Sequence, residues 1–295
     1  MISRAPMRIS FGGGNTDLEP FRSKFGGTTF GVAIKKYASA SPTFDNNVSP
    51  LVLAIKEKMS YSGNLGIHVD APPMSGLGAS GAIAVACVYA IAPGKLSRKK
   101  MASLAFDVER KDLGILGGEQ DQVASAFGGM FYIEFNANSE YEIIPVPRDS
   151  FTEDLEKRLV LVYLGDRSQS GANVLEDIIH RDKEDILLKI KEIATEQRRC
   201  ITHGDLIGFA ELLRESWKLK RELSPFVSNP KIDEVFEEVA KNGALAAKLS
   251  GAGSGGFAMI LCDNTSKVMD RLRYMEYKPE SVEFDWDGAS IVRSK

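Results

Sequence analysis

Cysteine and histidine are scarce in this chain of 295 residues, which has three of each. Cys87, Cys200 and Cys262 lie far apart in no metal-ligand spacing, and the three histidines form no cluster. An odd number of scattered cysteines argues against a disulfide framework and a zinc site, and is typical of reduced thiols in a cytoplasmic protein. We therefore expect a cytoplasmic location and assign no chemistry to either residue type.

Long apolar runs and a dominant sign of charge are also missing. The longest apolar run, residues 82–92, is shorter than the roughly 18 to 20 residues that a transmembrane helix needs. The first residues have no signal-peptide core. The 37 basic and 40 acidic side chains give a formal charge of −3. This balance excludes a global attraction to nucleic acid or to an anionic membrane, so we expect neither as a partner.

The remaining composition is that of a globular protein, 43% hydrophobic and 26% charged, in a chain long enough for two domains. Sequence patterns predict strands at residues 51–57 and 65–70 and a buried helix over residues 79–91. Strands and helices alternate without the regular spacing of a doubly wound sheet. Two prolines and a charged stretch indicate a boundary near residue 150. We therefore predict an α+β protein with domains at residues 1–150 and 151–295.

Three glycine-rich segments stand out: residues 10–18 (SFGGGNTDL), 72–81 (PPMSGLGASG) and 248–257 (KLSGAGSGGF). A glycine loop that opens a helix brings free backbone N–H groups and the positive end of the helix dipole together, which suits a phosphate group. The middle segment has this context, because a strand pattern precedes it and a helix pattern follows it. It predicts a phosphate-binding loop.

Two common nucleotide signatures do not account for these loops. Gly76, Gly78 and Gly81 match G-x-G-x-x-G, as do glycines in residues 251–256. A Rossmann site needs an acidic residue after a second strand, which is missing after the first match, and after the second match the chain enters a strand instead of a helix. The Walker signature G-x-x-x-x-G-K-[ST] is absent, which excludes a P-loop protein.

The three glycine segments, in this order and spacing, resemble the three motifs of the GHMP kinases, the superfamily of galactokinase, homoserine kinase and mevalonate kinase. Residues 113–135 and 215–233 are similar to the D-glycero-D-manno-heptose 7-phosphate kinases in particular, although Asn15 replaces a glycine of their first motif. The resemblance covers essentially the whole chain. It implies an N-terminal mixed β/α domain, a C-terminal ferredoxin-like α/β domain, and phosphorylation of a sugar phosphate with ATP and Mg²⁺.

The resemblance also implies which residues hold the nucleotide and its metal ion. The implied phosphate-binding set is Ser75, Gly76, Leu77, Gly78, Ala79, Ser80, Gly251 and Gly253. Ser80 and Glu109 would bind magnesium, which prefers oxygen ligands and usually takes one or two carboxylates beside substrate phosphates. In the alternative interpretation, Ser80 satisfies backbone donors at a helix N-terminus, and Glu109 is a surface residue paired with Arg110 or Lys111.

For catalysis, the resemblance implies that Asp121 takes the proton of the acceptor hydroxyl or orients that hydroxyl. Arg8 would stabilise the transferring phosphoryl group. Glu119, two residues before Asp121, competes with it for the role of base. A sugar phosphate also needs cations, and the candidates, each of which could equally lie on a solvated face, are Lys220, Arg221 and Arg167.

The implied substrate is a small sugar or sugar phosphate whose hydroxyl groups Asp17 would bind, with Thr16 and Gly14 beside it. Alternatively, Asp17 caps the start of a helix. Three alternative functions remain: a kinase for another sugar such as galactose or fucose, a mevalonate kinase, and a non-catalytic ligand-binding relative. The sequence leaves a homodimer open.

Overall fold

The computed structural model describes residues 1–45, 49–138, 140–181 and 183–292, which form two β-sheets with helices packed on them. The elements, in chain order, are β1 (Ile2–Gly12), α1 (Phe21–Phe25), β2 (Gly27–Thr43), α2 (Pro50–Lys58), β3 (Asn64–Val69), α3 (Ala79–Ile91), α4 (Arg98–Asp107), a π-helical turn (Val108–Asp112), α5 (Gln120–Phe127), β4 (Met130–Phe135), β5 (Tyr141–Val146), α6 (Ser150–Arg158), β6 (Leu159–Tyr163), α7 (Gly171–His180), α8 (Glu184–His203), α9 (Leu206–Leu223), α10 (Pro230–Ala240), β7 (Ala244–Leu249), β8 (Phe257–Cys262), α11 (Thr265–Tyr274), β9 (Pro279–Ser281) and β10 (Ser290–Val292).

The first sheet has the strand order β10–β1–β2–β4–β5, all antiparallel, and β3 pairs with the second half of β2. Successive side chains of a strand point to opposite faces, and the side chains of β4 are buried on both faces of the sheet. Along β4, Phe131, Ile133 and Phe135 pack in the cluster that contains α3. Met130 and Tyr132 pack in the cluster that contains residues of α8 and α9. Helices of the second half of the chain therefore cover one face of this sheet.

The second sheet has the order β7–β8–β6–β9, with every pair antiparallel. Its elements follow one another along the chain as strand, helices, two strands, helix and strand, which is the ferredoxin-like arrangement. The prediction of a ferredoxin-like C-terminal domain is therefore confirmed. Leu159 and Leu161 of β6 pack in the cluster that also buries the first sheet. Val160 and Val162 pack with α7, α10 and α11 on the opposite face. The two sheets thus share one apolar layer between them.

The last strand links the end of the chain to its beginning. Residues Ile2, Ser3 and Arg4 of β1 pair with Val292, Ile291 and Ser290 of β10. The first sheet therefore contains a strand from residues 290–292 as well as strands from the first half. The domain boundary near residue 150 stays a prediction.

The predicted helix at residues 79–91 is confirmed by α3, and the predicted strand at residues 65–70 by β3. The strand predicted at residues 51–57 is wrong, because these residues lie in α2. Pro50 stands in the first turn, where a helix tolerates it. Leu51, Val52 and Ile55 are buried at helical spacing and pack in one cluster with α3. Within the described ranges, no helix is both long and apolar enough to cross a membrane.

Candidate active site

The loop before α3 forms one wall of a cleft. Gly76 and Gly78 have φ values of +87° and +75°, a region that glycine reaches at little cost. Gly78 is the N-cap of α3, and the first turn of α3 carries no acidic side chain. The N–H groups of the first turn of any helix have no partner within that helix. Because Gly76, Gly78, Ala79 and Ser80 all line the cleft, this wall suits an anion.

The third glycine segment packs directly against this loop. The Phe257 N–H donates to the Ser75 carbonyl over 2.8 Å, and the Ser250 N–H donates to the Phe257 carbonyl over 2.9 Å. A Cβ at Gly76 would lie 2.5 Å from the Ser250 carbonyl oxygen, and one at Gly251 would lie 2.8 Å from the Gly76 Cα. Glycine is therefore needed where the two halves of the chain touch, and Gly251 also lines the cleft.

Ser80 and Glu109 meet at the start of α3. The Ser80 hydroxyl donates to Oε1 of Glu109, and the Gln122 amide donates to Oε2. Glu109 is 6% exposed, and its burial raises the pKa of its carboxyl group. The interpretation of Glu109 as a surface residue paired with a neighbouring cation is wrong, and Lys111 pairs with Asp107 over 2.8 Å instead.

The chemistry of this pair fits a magnesium ion that arrives with a nucleotide. A hydroxyl and a carboxylate are oxygen donors, which magnesium prefers, and the ion usually keeps further positions for phosphate oxygens and water. Among the described residues, no group of three or more His, Cys, Asp and Glu side chains could hold a metal. Ser80 and Glu109 would therefore supply part of a coordination shell, and the described residues form no complete protein cage.

Asp121 stands in the first turn of α5 and pairs with Arg8 of β1. Its Oδ1 accepts from Arg8 Nε over 2.7 Å and lies 2.6 Å from Arg8 Nη2. Arg8 Nη1 also donates to the Gly76 carbonyl over 2.7 Å, and Arg8 is only 5% exposed. A Cβ at Gly78 would lie 3.1 Å from Asp121 Oδ2, and one at Gly81 would lie 2.9 Å from the Asp121 Cβ. The carboxylate is thus held against the loop before α3.

Asp17 is a buried carboxylate with a free acceptor position. The Gln120 N–H donates to Oδ2 over 3.3 Å, whereas Oδ1 is buried without a partner among the described residues. Burial, and after it the charge of Asp121, raises the pKa of Asp17 to about 6. Helix α1 begins at Phe21 after the N-cap Pro20, so Asp17 caps no helix there. A buried acceptor without a partner is costly, which fits an acceptor kept for a ligand hydroxyl.

Gly14 and Asn15 line the cleft beside Asp17. Asn15 has a φ of +75°, which asparagine tolerates better than most residues, and its side-chain Nδ2 is buried without a partner among the described residues. Thr16 does not reach the cleft. Its hydroxyl lies 2.8 Å from the Gly13 carbonyl and accepts the Thr28 N–H over 2.9 Å. Thr16 therefore ties the first glycine segment to β2 instead of presenting its side chain to a ligand.

Three other residues considered in the sequence lie outside the cleft lining. The Leu77 side chain is fully buried in the apolar core. A Cβ at Gly253 would lie 2.7 Å from the Val227 carbonyl oxygen, so this glycine serves a backbone contact. Glu119 pairs with Arg22 at 3.2 Å in the protein interior. Of the two competing carboxylates, Asp121 is therefore the one that faces the cleft.

Lys248 is a cleft residue that the sequence reasoning missed. It is 4% exposed, and its Nζ donates to the Phe11 carbonyl over 2.8 Å. Burial, and after it the charge of Arg8, lowers the pKa of Lys248 to about 7. The available signal was a lysine at the end of the small, apolar segment ALAAKL, which forms the strand β7.

Two of the three cations considered for a sugar phosphate also reach the cleft. Lys220 of α9 is 9% exposed and donates to the Gly251 carbonyl, and burial lowers its pKa well below the usual range. Arg167 lines the cleft with a buried Nε that has no partner among the described residues. Arg221 does not line the cleft and pairs with Asp233 over 2.8 Å.

The cleft that these groups line has a volume of about 390 Å³. The charge of Asp121 raises the pKa of both Asp17 and Glu109, after the larger effect of burial in each case. Asp121 therefore lies within electrostatic reach of both carboxylates. The arrangement places the Asp121 carboxylate next to a loop that suits an anion, and the buried Asp17 carboxylate in the same cavity.

Two sequence-family models match the chain. The model described as GHMP kinases N terminal domain matches residues 46–129, and the model described as GHMP kinases C terminal matches residues 197–277. Together they cover more than half of the chain. The N-terminal match contains the loop before α3 and the Ser80, Glu109 and Asp121 positions, whereas the C-terminal match contains Lys220, Lys248 and the third glycine segment.

Similar proteins match over more of the chain. The D-glycero-alpha-D-manno-heptose 7-phosphate kinase of Campylobacter jejuni is 28% identical over 334 aligned positions, which cover 99% of this chain and 98% of that protein. The bifunctional fucokinase/GDP-fucose pyrophosphorylase of Arabidopsis thaliana is 28% identical, over 78% of this chain and 23% of that protein. The crystal structure of a D-glycero-D-manno-heptose 1-phosphate kinase from Bacteroides thetaiotaomicron superposes with a TM-score of 0.80 at 26% identity, over 99% of each chain.

Proposed function

Because the chain belongs to the GHMP kinase family and is a phosphotransferase, we propose that it transfers the γ-phosphoryl group of ATP to a hydroxyl of a sugar phosphate. We assign a D-glycero-D-manno-heptose phosphate as the acceptor. Two heptose phosphate kinases that match this chain over nearly its full length support that choice. The observation that carries the proposal is the Arg8–Asp121 pair, which lies against the phosphate-binding loop in the cleft that Asp17 and Glu109 also line.

Anchoring of the nucleotide falls to the loop before α3. Backbone N–H groups from Gly76 to Ala79 and the positive end of the α3 dipole would hold the phosphates of ATP. Ser80 and Glu109 would hold Mg²⁺, which supplies charge neutralisation on the phosphate oxygens when bound. Burial raises the pKa of the Glu109 carboxyl group and thereby opposes its charged form. A bound cation would act in the opposite direction and favour the carboxylate.

Proton transfer falls to Asp121. Its carboxylate would accept the proton of the acceptor hydroxyl, or orient that hydroxyl, as the oxygen–phosphorus bond forms. Arg8 donates both to Asp121 and to the Gly76 carbonyl, so its charge stands between the carboxylate and the phosphate-binding loop. There it would stabilise the negative charge of the phosphoryl oxygens in transit. Asp17 would accept a hydrogen bond from a sugar hydroxyl at its unpaired Oδ1.

A neutral sugar such as fucose is the second candidate acceptor, because a segment of the fucokinase/pyrophosphorylase is similar to 78% of this chain. Asp17 and Asp121 would serve a neutral sugar equally well, since both act on hydroxyl groups. The two candidates differ in one chemical demand: only a sugar phosphate needs a second anion-binding site in the cleft.

ADP release in a coupled assay with ATP and magnesium tests the proposal. We expect release that depends on D-glycero-D-manno-heptose 7-phosphate and is suppressed by Asp121→Asn. Glu142→Gln serves as the control, because Glu142 is an exposed carboxylate on β5 outside the cleft. Acceptor-dependent release that Asp121→Asn leaves intact, or no release with any sugar or sugar phosphate, would contradict the proposed function.

A further inference from the structure

Three cationic side chains of the second half of the chain converge on the cleft: Arg167, Lys220 and Lys248, called the cationic pocket below. Lys220 and Lys248 are 9% and 4% exposed, and the Arg167 Nε is buried. In the part of the chain that the structure describes, none of the three forms an ion pair with a carboxylate. Among the described residues, the two lysines donate to the carbonyls of Gly251 and Phe11.

Such an arrangement is unfavourable without an anion. Buried charges in proteins are as a rule paired, because loss of hydration is costly. Here burial and like charges act together: Lys248, Arg167 and Arg8 all oppose the charged form of Lys220, and Arg8 opposes that of Lys248 and Arg167. Asp121 pairs with Arg8 and also favours the charged form of Arg167, whereas neither lysine has an anionic partner among the described residues. A ligand with two negative charges would provide it.

The chain also shapes the pocket for this ligand. A Cβ at Gly76, Gly171 or Gly251 would lie 2.8–2.9 Å from a guanidinium nitrogen of Arg167, so glycine at each position leaves room for that side chain. Lys220 reaches in from α9 and Lys248 from β7, and each is fixed by a carbonyl group. Side chains held in this way are preorganised for a phosphate group.

Of the pocket, Arg167 approaches Gly76 of the loop proposed for the nucleotide phosphates, whereas the two lysines contact carbonyl groups outside that loop. Those phosphates already have the loop before α3, Ser80 and Glu109. Lys248 instead contacts Phe11 at the end of β1, three residues before Gly14 and six before Asp17, which line the acceptor side of the cleft. Lys248 therefore contacts the strand that leads to Asp17, and both lysines line the same cavity as Asp17, where an acceptor would be held.

We propose that the cationic pocket binds the phosphate group that the acceptor already carries, so that the enzyme selects phosphorylated sugars over neutral ones. This inference rests on the proposed function and deepens it, since it assigns residues to the phosphate that is not transferred. Lys220 and Lys248 are specificity-determining residues in this account. Arg167, which also touches the phosphate-binding loop, completes the pocket.

The test compares two acceptors that differ only in the phosphate: D-glycero-D-manno-heptose 7-phosphate and unphosphorylated D-glycero-D-manno-heptose. Lys220→Gln removes the charge and retains a donor for the Gly251 carbonyl, and Lys248→Met removes the charge at the second position. A hydrogen bond to a charged group contributes more binding free energy than one between neutral groups. Each variant should therefore lower the ratio of kcat/KM for the phosphorylated acceptor to kcat/KM for the neutral acceptor by about 10- to 100-fold. The KM for ATP should stay nearly unchanged. Lys218→Met, an exposed lysine on the same helix, should leave the ratio unchanged.

Two outcomes overturn the inference while the kinase function stands. One is an equal loss of kcat/KM on both acceptors, which leaves the ratio unchanged. The other is a raised KM for ATP with no change in the acceptor ratio, which would assign the lysines to the nucleotide. Circular dichroism of each variant checks the fold, and the second lysine variant provides the same test if the first does not fold.

A binding measurement separates this inference from the proposed function. With the nucleotide site saturated by a non-hydrolysable ATP analogue and magnesium, calorimetry measures binding of inorganic phosphate. We expect the native protein to bind phosphate and Lys220→Gln to bind it at least about 10-fold more weakly. If no acceptor is phosphorylated, the proposed function fails, while phosphate binding that depends on Lys220 still supports the pocket. Absence of phosphate binding, or binding that Lys220→Gln does not weaken, overturns it.

Discussion

Replacing Asp121 by asparagine removes a negative charge and a proton acceptor from the cleft and changes its shape very little. Arg8 Nε donates to Asp121 Oδ1 over 2.7 Å, and the carbonyl oxygen of an asparagine can accept the same bond. Arg8 should therefore stay in place, held also by the Gly76 carbonyl at 2.7 Å. Arg8, which is 5% exposed, loses its charged partner, so the variant should be less stable than the native protein, although both hydrogen bonds of Arg8 can be retained. We expect an intact fold.

The expected kinetic loss follows from the role of a general base. Such a group contributes about 10²- to 10⁴-fold, which corresponds to about 2.7–5.4 kcal/mol of activation free energy. The loss should appear in kcat, because the proton moves only as the transition state forms. The KM for ATP should not rise, since Asp121 carries a negative charge beside the phosphate-binding loop and its removal relieves repulsion of the phosphates.

A second consequence of the same substitution concerns Asp17. The charge of Asp121 is one of the two causes that raise the pKa of Asp17 to about 6, and burial is the larger cause. Asp121→Asn should therefore lower the pKa of Asp17 without returning it to its unperturbed value. Carboxyl ¹³C chemical shifts followed as a function of pH measure this directly, and steady-state ADP release gives kcat and both KM values.

The reasoning fails if Asp121→Asn keeps a kcat within a few-fold of the native enzyme. It also fails if the KM for ATP rises as much as kcat falls, because that pattern belongs to a residue that binds the nucleotide. An unchanged pKa of Asp17 in the variant would show that the two carboxylates do not interact. In the first two cases the proton acceptor has to be sought elsewhere in the cleft.

Three further predictions concern the other charged residues of the cleft. Glu109→Gln should raise the magnesium concentration needed for half-maximal rate, with partial rescue at high magnesium, in a magnesium titration of ADP release; an unchanged titration would exclude it as a ligand. Asp17→Asn should raise the KM for the sugar strongly and leave that for ATP nearly fixed, since it loses one acceptor oxygen; equal rises in steady-state assays would indicate a structural role. Lys248 has a folded-state pKa of about 7, below the 10.5 of a free lysine. The unfolded chain therefore binds more protons between these values, and the free energy of unfolding should increase from pH 7 to pH 9 by up to about 1.4 kcal/mol per unit. Urea unfolding should show a smaller increase for Lys248→Met, and equal slopes would contradict the lowered pKa of Lys248 in the folded protein.

The order of glycine segments allowed much of this architecture to be predicted. Residues 79–91 are nearly all small or apolar and follow a glycine pair, which identified α3. The strand prediction for residues 51–57 was wrong because LVLAIKE suits a strand as well as a helix. The helix is favoured by Pro50 in its first turn and by packing against α3, which the sequence does not show. Tertiary packing overrides local preference in such short segments.

The candidate site shows the same limit at the level of side-chain direction. Asp121 and Glu119 are two residues apart, which corresponds to about 200° around a helix, so one faces the cleft and the other faces Arg22 in the interior. Thr16 is next to Asp17 in the chain and points away from it into a backbone contact. Residues of one motif lie close together in the sequence, but only the folded backbone decides which of them share a cavity.

Lys248 was missed for a related reason. Lysine is usually exposed, and although the apolar segment ALAAKL indicates a buried strand, it does not show that Lys248 contacts the end of β1. That contact joins residues 11 and 248, which only the folded structure brings together. The long-range pairing of the two halves creates the cleft and its positive charge at the same time.

The central claim is that this kinase phosphorylates a hydroxyl of a sugar that already carries a phosphate. The most direct measurement is ³¹P NMR of the purified protein with ATP, magnesium and D-glycero-D-manno-heptose 7-phosphate, with the unphosphorylated heptose, galactose and fucose in parallel reactions. The account predicts a new phosphomonoester signal, beside the one already present, that grows as ATP is converted to ADP, and much slower conversion of the neutral sugars. Conversion of a neutral sugar with no second phosphorylation of the heptose phosphate would contradict it.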